Sequence, residues 1–139
     1  MSTQENVELI KEGYAAFAEG DIQRLLGMYS ENIWIVLPAV EGAPHRGTHK
    51  GRDQVADFFD SLAEAQEMLE FTQDHFVAQD DSVVVTGWMK ARARTTGRIF
   101  ETQYAHIFSV TGGKVQQLVE YVDTAAVADA YRQSAGAGA

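Results

Sequence analysis

Two β-rich runs joined by a four-residue turn constrain this chain more than any other feature. The first is Phe100-Glu101-Thr102-Gln103-Tyr104-Ala105-His106-Ile107-Phe108-Ser109-Val110, the turn is Thr111-Gly112-Gly113-Lys114, and the second runs from Val115 to Asp123. A short turn with two glycines between such runs predicts a β-hairpin. Side chains alternate along a strand, so Tyr104, His106, Phe108 and Val110 share one face of the first run. Leu118, Glu120 and Val122 share one face of the second. If those faces point the same way, an imidazole and a carboxylate stand among apolar groups on a common wall. A carboxylate on an apolar face is costly to bury alone, so Glu120 needs either a partner or a pocket.

The rest of the chain reads as helices followed by strands. Ser2 and Glu5 have the spacing of a capping box, and Val7, Ile10, Tyr14 and Phe17 then form one helical stripe. Gly20 ends that helix and Asp21 caps the next, with Ile22, Leu25, Leu26 and Tyr29 as its stripe. Ile33 to Leu37 is a short strand without alternation, ended by Pro38, which predicts cover on both faces. Residues 38–52 carry Pro38, Gly42, Pro44, Gly47 and Gly51 and read as one long loop. A third helix starts near Asp53, with Val55, Phe58, Phe59 and Leu62 inward. Strands follow over Leu69–Ala78 and Ser82–Arg94, a further strand starts at Arg98, and then comes the hairpin. Asp123 or Thr124 caps a last helix holding Val127 and Tyr131. This order predicts an α+β layer, one antiparallel sheet with a face packed on helices. One domain over residues 1–133 and a flexible tail over 134–139 are expected.

Composition removes several classes of function. The 139 residues carry a net charge of -9, so the basic patch that nucleic acid demands is not expected. No cysteine is present, which excludes disulfides and thiolate metal sites. The start Met1-Ser2-Thr3-Gln4-Glu5 lacks the pattern of a signal peptide, and no apolar run approaches the ~18 residues that span a bilayer. A cytoplasmic chain with no membrane partner is expected. His45 and His49 fall in the Gly/Pro loop, where the spacing does not make a metal site, so no metal and no cofactor are expected. Phosphate-loop, Gly-x-Ser-x-Gly and dinucleotide fingerprints are absent from the sequence.

Several stretches together resemble the nuclear transport factor 2-like superfamily, and within it the SnoaL-like polyketide cyclases and relatives of the ketosteroid isomerases. They are Tyr14-Ala15-Ala16-Phe17-Ala18-Glu19-Gly20-Asp21, Leu37-Pro38, Gly47-Thr48-His49-Lys50-Gly51-Arg52, Val55 to Phe59, Thr96-Gly97-Arg98, Ala105-His106-Ile107-Phe108, Gly113-Lys114-Val115 and Glu120-Tyr121-Val122-Asp123. The resemblance covers about residues 5–131. It implies a cone-shaped, curved antiparallel or mixed sheet wrapped around the N-terminal helices, the cystatin-like α+β barrel. It also implies a pocket at the wide end and a homodimer through the sheet face. By resemblance Tyr14 matches the helix-1 tyrosine that donates to an oxyanion, His106 stands at the second oxyanion-hole position, and Leu37 replaces the isomerases' aspartate base. The epoxide hydrolases of this frame use an acid–Arg–acid set, of which only the last-strand acid, Glu120, is matched. The SnoaL-like cyclases use a histidine and an acid on the last two strands, and His106 with Glu120 resembles that pair best, the acid's register lying between Glu120 and Asp123.

The candidate catalytic set is therefore His106, Glu120 and Tyr14. The candidate ligand-binding set is Phe17, Ile35, Leu37, His49, Phe58, Phe59, Met89, Tyr104, Phe108, Leu118 and Val122. Each has a structural counterpart: Tyr14 fits a core tyrosine with a satisfied hydroxyl, His106 a structural donor, and Asp123 a helix cap better than an acid. Lys90, Arg92 and Arg94 alternate onto one strand face, with Glu101 as a cross-strand partner for them. Trp34 and Trp88 are read as packing or dimer contacts. Three functions remain open: a cofactor-free isomerase, cyclase or lyase acting on a small apolar carbonyl compound, a non-catalytic ligand-binding module, and a structural dimer.

Overall fold

The structure, a computed structural model, describes residues 2–132; the tail expected over 134–139 lies outside the described residues. Helix α1 (Thr3–Ala18) opens with the capping box read from the sequence: Ser2 accepts from the Glu5 amide and the Glu5 side chain accepts from the Ser2 amide. Gly20 follows with φ +73°, and Asp21 caps α2 (Ile22–Gly27) through the Arg24 amide. The elements after it are β1 (Tyr29–Leu37), β2 (Gly47–Lys50), α3 (Gly51–Ala65), β3 (Gln66–Gln79), β4 (Ser82–Ala93), β5 (Ile99–Thr111), β6 (Lys114–Val122) and α4 (Thr124–Tyr131). Asp123 caps α4 by accepting from the Ala125 and Ala126 amides, so it is a cap rather than the site acid.

One open sheet runs in the order β2-β1-β6-β5-β4-β3. The four long strands form an antiparallel meander, and β1 then lies parallel to β6, which makes the curved sheet mixed. The β5–β6 turn pairs Thr111 with Lys114, with Gly112 and Gly113 both at positive φ, the twist that a two-residue hairpin needs. Helix α3 packs on β1, α1 on β3 and β4, and α4 on β5. The burial of β4 and β5 alternates residue by residue, so the inner face carries Val83, Val85, Met89, Tyr104, His106, Phe108 and Val110.

Three sequence expectations change here. Tyr29 does not extend the second helical stripe but begins β1, buried against Phe59. The 38–52 loop contains β2, and α3 starts at Gly51, because Gly47–Lys50 pairs with Trp34–Leu37. Cover on both faces of β1 is also wrong. Trp34 is 43% exposed on the outer side, its ring beneath the Lys50 ammonium at 4.2 Å. The apolar run Ile33–Leu37 hid a one-sided strand because its outward residues, Trp34 and Val36, are themselves apolar. Lys90 does meet Glu101, at 3.7 Å, and Arg92 meets Glu67.

Gly87 sits where β3 bulges over β4. A Cβ there would lie far inside contact with the Thr72 carbonyl oxygen and 2.8 Å from the Tyr104 hydroxyl. The Gly87→Ala protein should unfold about 3 kcal/mol more easily in a urea titration. Gly27→Ala, whose Cβ meets nothing within 4 Å, should lose nothing.

Candidate functional site

The hairpin register places His106 directly opposite Glu120, with Tyr104 opposite Val122 and Phe108 opposite Leu118. The faces coincide, so the imidazole and the carboxylate share the inner wall. His106 Nε2 lies 3.0 Å from Glu120 Oε1, and His106 Nδ1 lies 2.6 Å from the Tyr14 hydroxyl on α1. The Tyr14 and His106 rings are nearly parallel, with Phe71 and Phe108 edge-on around them.

A fourth member completes this chain, and the sequence reading missed it. Arg46 Nη2 donates to Glu120 Oε2, and its Nε donates to the Pro38 carbonyl at 3.0 Å. The Arg46 and Glu120 side chains are 5% and 9% exposed, so this is a buried ion pair. Topology explains it. Because β1 runs parallel to β6 with Ile35 beside Leu118, Leu37 stands level with Glu120. Leu37 pairs with Gly47, and Arg46 is the next residue out. A loop arginine in a Gly/Pro-rich stretch carries no periodicity to announce it; the one available signal was that Glu120 required a partner.

Burial raises the Glu120 carboxyl pKa, but the hydrogen bonds and charges of His106 and Arg46 outweigh it, and the net shift is downward. Glu120 is held as the anion. The Tyr14 phenol is pushed up, first by burial and then by Tyr104 and Tyr29, so it stays protonated in the resting state. The Tyr104 phenol is pushed up to about 12 by burial, and its hydroxyl donates to the Thr72 carbonyl at 2.6 Å.

Beside the chain of polar groups lies a cavity of about 110 Å³, which Tyr14, Arg46, His106 and Glu120 line. Phe17, Ile35, Leu37, Phe58, Phe59, Met89, Phe108 and Leu118, all singled out in the sequence, also line it. Phe71, Met68 and Gln66 from β3 line it too and were not foreseen. Three foreseen residues stand elsewhere. His49 is turned away, bonded to the His45 carbonyl at 2.8 Å and packed on Phe58. Tyr104 packs its ring on His106 at 4.3 Å but sends its hydroxyl over Gly87 to Thr72, and with Val122 it borders a separate cleft that also includes Asp74 and Tyr121. Among the described residues no cluster of three His, Asp or Glu could hold a metal, and no helix is long and apolar enough to cross a membrane.

A curved α+β sheet closing on helices over an apolar, one-sidedly polar cavity defines the nuclear transport factor 2-like class. Within that class the chain belongs to the SnoaL-like domain family, whose pattern matches residues 10–118. It is similar to an NTF2-like protein of Burkholderia xenovorans, with 36% identity, 95% of this chain and 99% of that one covered, and a TM-score of 0.87. An uncharacterised protein of Mycobacterium tuberculosis is 27% identical over 128 residues, covering 91% of this chain and 95% of the relative. The fold also matches TerC, crystallised with polyporic acid, at 24% identity and a TM-score of 0.78, covering 93% and 99% of the two chains.

His45, next to Arg46, is buried against Tyr131, and neither ring nitrogen has a partner among the described residues. Burial, then the Arg46 cation, lower its pKa from 6.5 to about 4. The unfolded chain therefore binds a proton that the folded chain refuses. Folded stability is fully present above 6.5 and is lost as pH falls toward 4. His45→Leu should remove roughly 2 kcal/mol of that acid-side loss, read as a smaller drop in thermal midpoint between neutral and mildly acidic buffer.

Proposed function

We propose that this protein binds a small apolar carbonyl compound in its cavity and moves a proton on it without a cofactor, as an isomerase, cyclase or lyase. The observation that carries this reading is the convergence of Tyr14, His106, Glu120 and Arg46 on a cavity whose lining is mostly apolar. Proton abstraction next to a carbonyl needs a base aimed at the reacting carbon or its oxygen, and a donor for the oxyanion that develops. In this reading His106 takes the proton, since Glu120, the other candidate base on the cavity wall, is tied to Arg46. In this reading Glu120 orients the ring and stabilises the imidazolium that forms, and Tyr14 touches the ligand. Leu37 lines the cavity where the steroid isomerases resembled by the sequence would carry an aspartate, so their base is not available here.

The tie between Glu120 and Arg46 also favours a second reading, a non-catalytic binding module, because it leaves no free carboxylate on the wall. Deuterium exchange separates the two. A panel of small enolisable ketones is incubated with the protein in deuterated buffer and followed by proton NMR; polyporic acid, the ligand crystallised with the similar TerC, belongs in the same binding screen. The catalytic reading expects exchange next to one carbonyl, reduced about 100-fold in His106→Gln. Binding without exchange leaves the module, and exchange untouched by His106→Gln removes the histidine from the chemistry.

We further propose a homodimer through the outer sheet face. Val77, Val84, Ile107, Val119 and Val36 stand in register across five strands on that face. Val77 is 63% exposed and neighbouring Tyr121 57%. An apolar row of this length is unusual on a free surface. Sedimentation equilibrium should return twice the 15.3 kDa chain mass, falling to the single mass when Ile107 and Val119 are both changed to Lys. A wild-type monomer at micromolar concentration would remove the proposal.

A further inference from the structure

The direction of the hydrogen bonds in the site selects what the cavity accepts. Glu120 is ionised and can only accept, so His106 Nε2, 3.0 Å away, carries a hydrogen. Arg46 already balances the Glu120 charge, so the carboxylate calls for no second cation, and in the neutral imidazole Nδ1 is bare. Nδ1 then accepts, and the hydroxyl 2.6 Å away must donate to it. Tyr14 has one proton, and it is spent on His106. Tyr14 lines the cavity, and toward a ligand its hydroxyl oxygen is therefore an acceptor in the resting protein. Tyr104 supplies no donor beside Tyr14, since its own proton goes to the Thr72 carbonyl.

We infer that the site takes its ligand as a neutral hydroxyl compound, an enol or a phenol, in preference to the corresponding ketone or ether, with Tyr14 accepting from the ligand O–H. This rests on the ligand-binding reading above and narrows its carbonyl compound to one that enters enolised. The same geometry defines the next step. The ligand O–H bond breaks and its proton passes to the Tyr14 oxygen while the Tyr14 proton passes to His106 Nδ1. No electron is transferred to or from the protein. The ligand becomes an oxyanion, His106 an imidazolium facing Glu120, and Tyr14, protonated again, now donates to the oxyanion it created. The donor role that the sequence suggested for Tyr14 thus arises after the transfer and not before it. The reverse shift restores the resting state.

The test uses three probes of similar size, all uncharged at neutral pH: para-cresol, its methyl ether and para-methylacetophenone, titrated into the intact protein by calorimetry. Para-cresol should bind about tenfold more tightly than the other two, and Tyr14→Phe should bring the three to within about twofold of each other. Nitrogen NMR of the ligand-free wild type should show His106 with Nε2 protonated and Nδ1 bare. This second measurement does not depend on any variant folding. A tighter ketone, a preference that survives Tyr14→Phe, or a protonated Nδ1 at neutral pH overturns the inference. If all three bind alike, this inference falls and the cavity reading stands; if none binds, both fall.

Discussion

The carboxylate of Glu120 is the group on which this structure's chemistry depends. A buried anion is tolerated only when its oxygens are satisfied, and here one accepts from His106 and the other from Arg46. Each bond has a consequence beyond stability. The first requires that His106 Nε2 carry a hydrogen, because the ionised carboxylate can only accept. The second removes the net charge from the wall, so that an apolar cavity can adjoin two ions.

The fold places these groups through strand parity and one unusual pairing. Alternation on β5 and β6 puts His106, Glu120, Phe108 and Leu118 on one face, and the meander cannot do otherwise while its register holds. Arg46 comes from the opposite logic. It has no periodic partner in its own segment and arrives because β1 lies parallel to β6 and carries β2 on its far edge. The face turned away from the cavity repeats the parity in apolar residues.

Legibility in the sequence followed the range of the interaction. Local devices were plain: the capping box at Ser2 and Glu5, the Asp21 and Asp123 caps, the two-glycine turn and the His106–Glu120 wall are all set by residues within a strand or a turn of each other. The resemblance supplied the curvature and the family. What stayed hidden depended on distant approach. Arg46 needed the β1–β6 pairing, Tyr104 needed the β3 bulge at Gly87 to turn its hydroxyl toward Thr72, and β2 was concealed by the turn residues on either side of it. Trp34 misled for a different reason, since an apolar side chain facing outward is indistinguishable by pattern from a buried one.

The parallel pairing of β1 with β6 also governs when the site can exist. Tyr14, Arg46, His106 and Glu120 are drawn from both ends of the chain, and the contacts among them span up to 92 positions. The β3–β6 meander can form from neighbours in sequence, yet by itself it would hold Glu120 without its arginine and His106 without its tyrosine. Closing long loops is the slow part of folding. The complete hydrogen-bonded chain therefore needs both ends of the polypeptide, which acquires it only after its last strand has met its first.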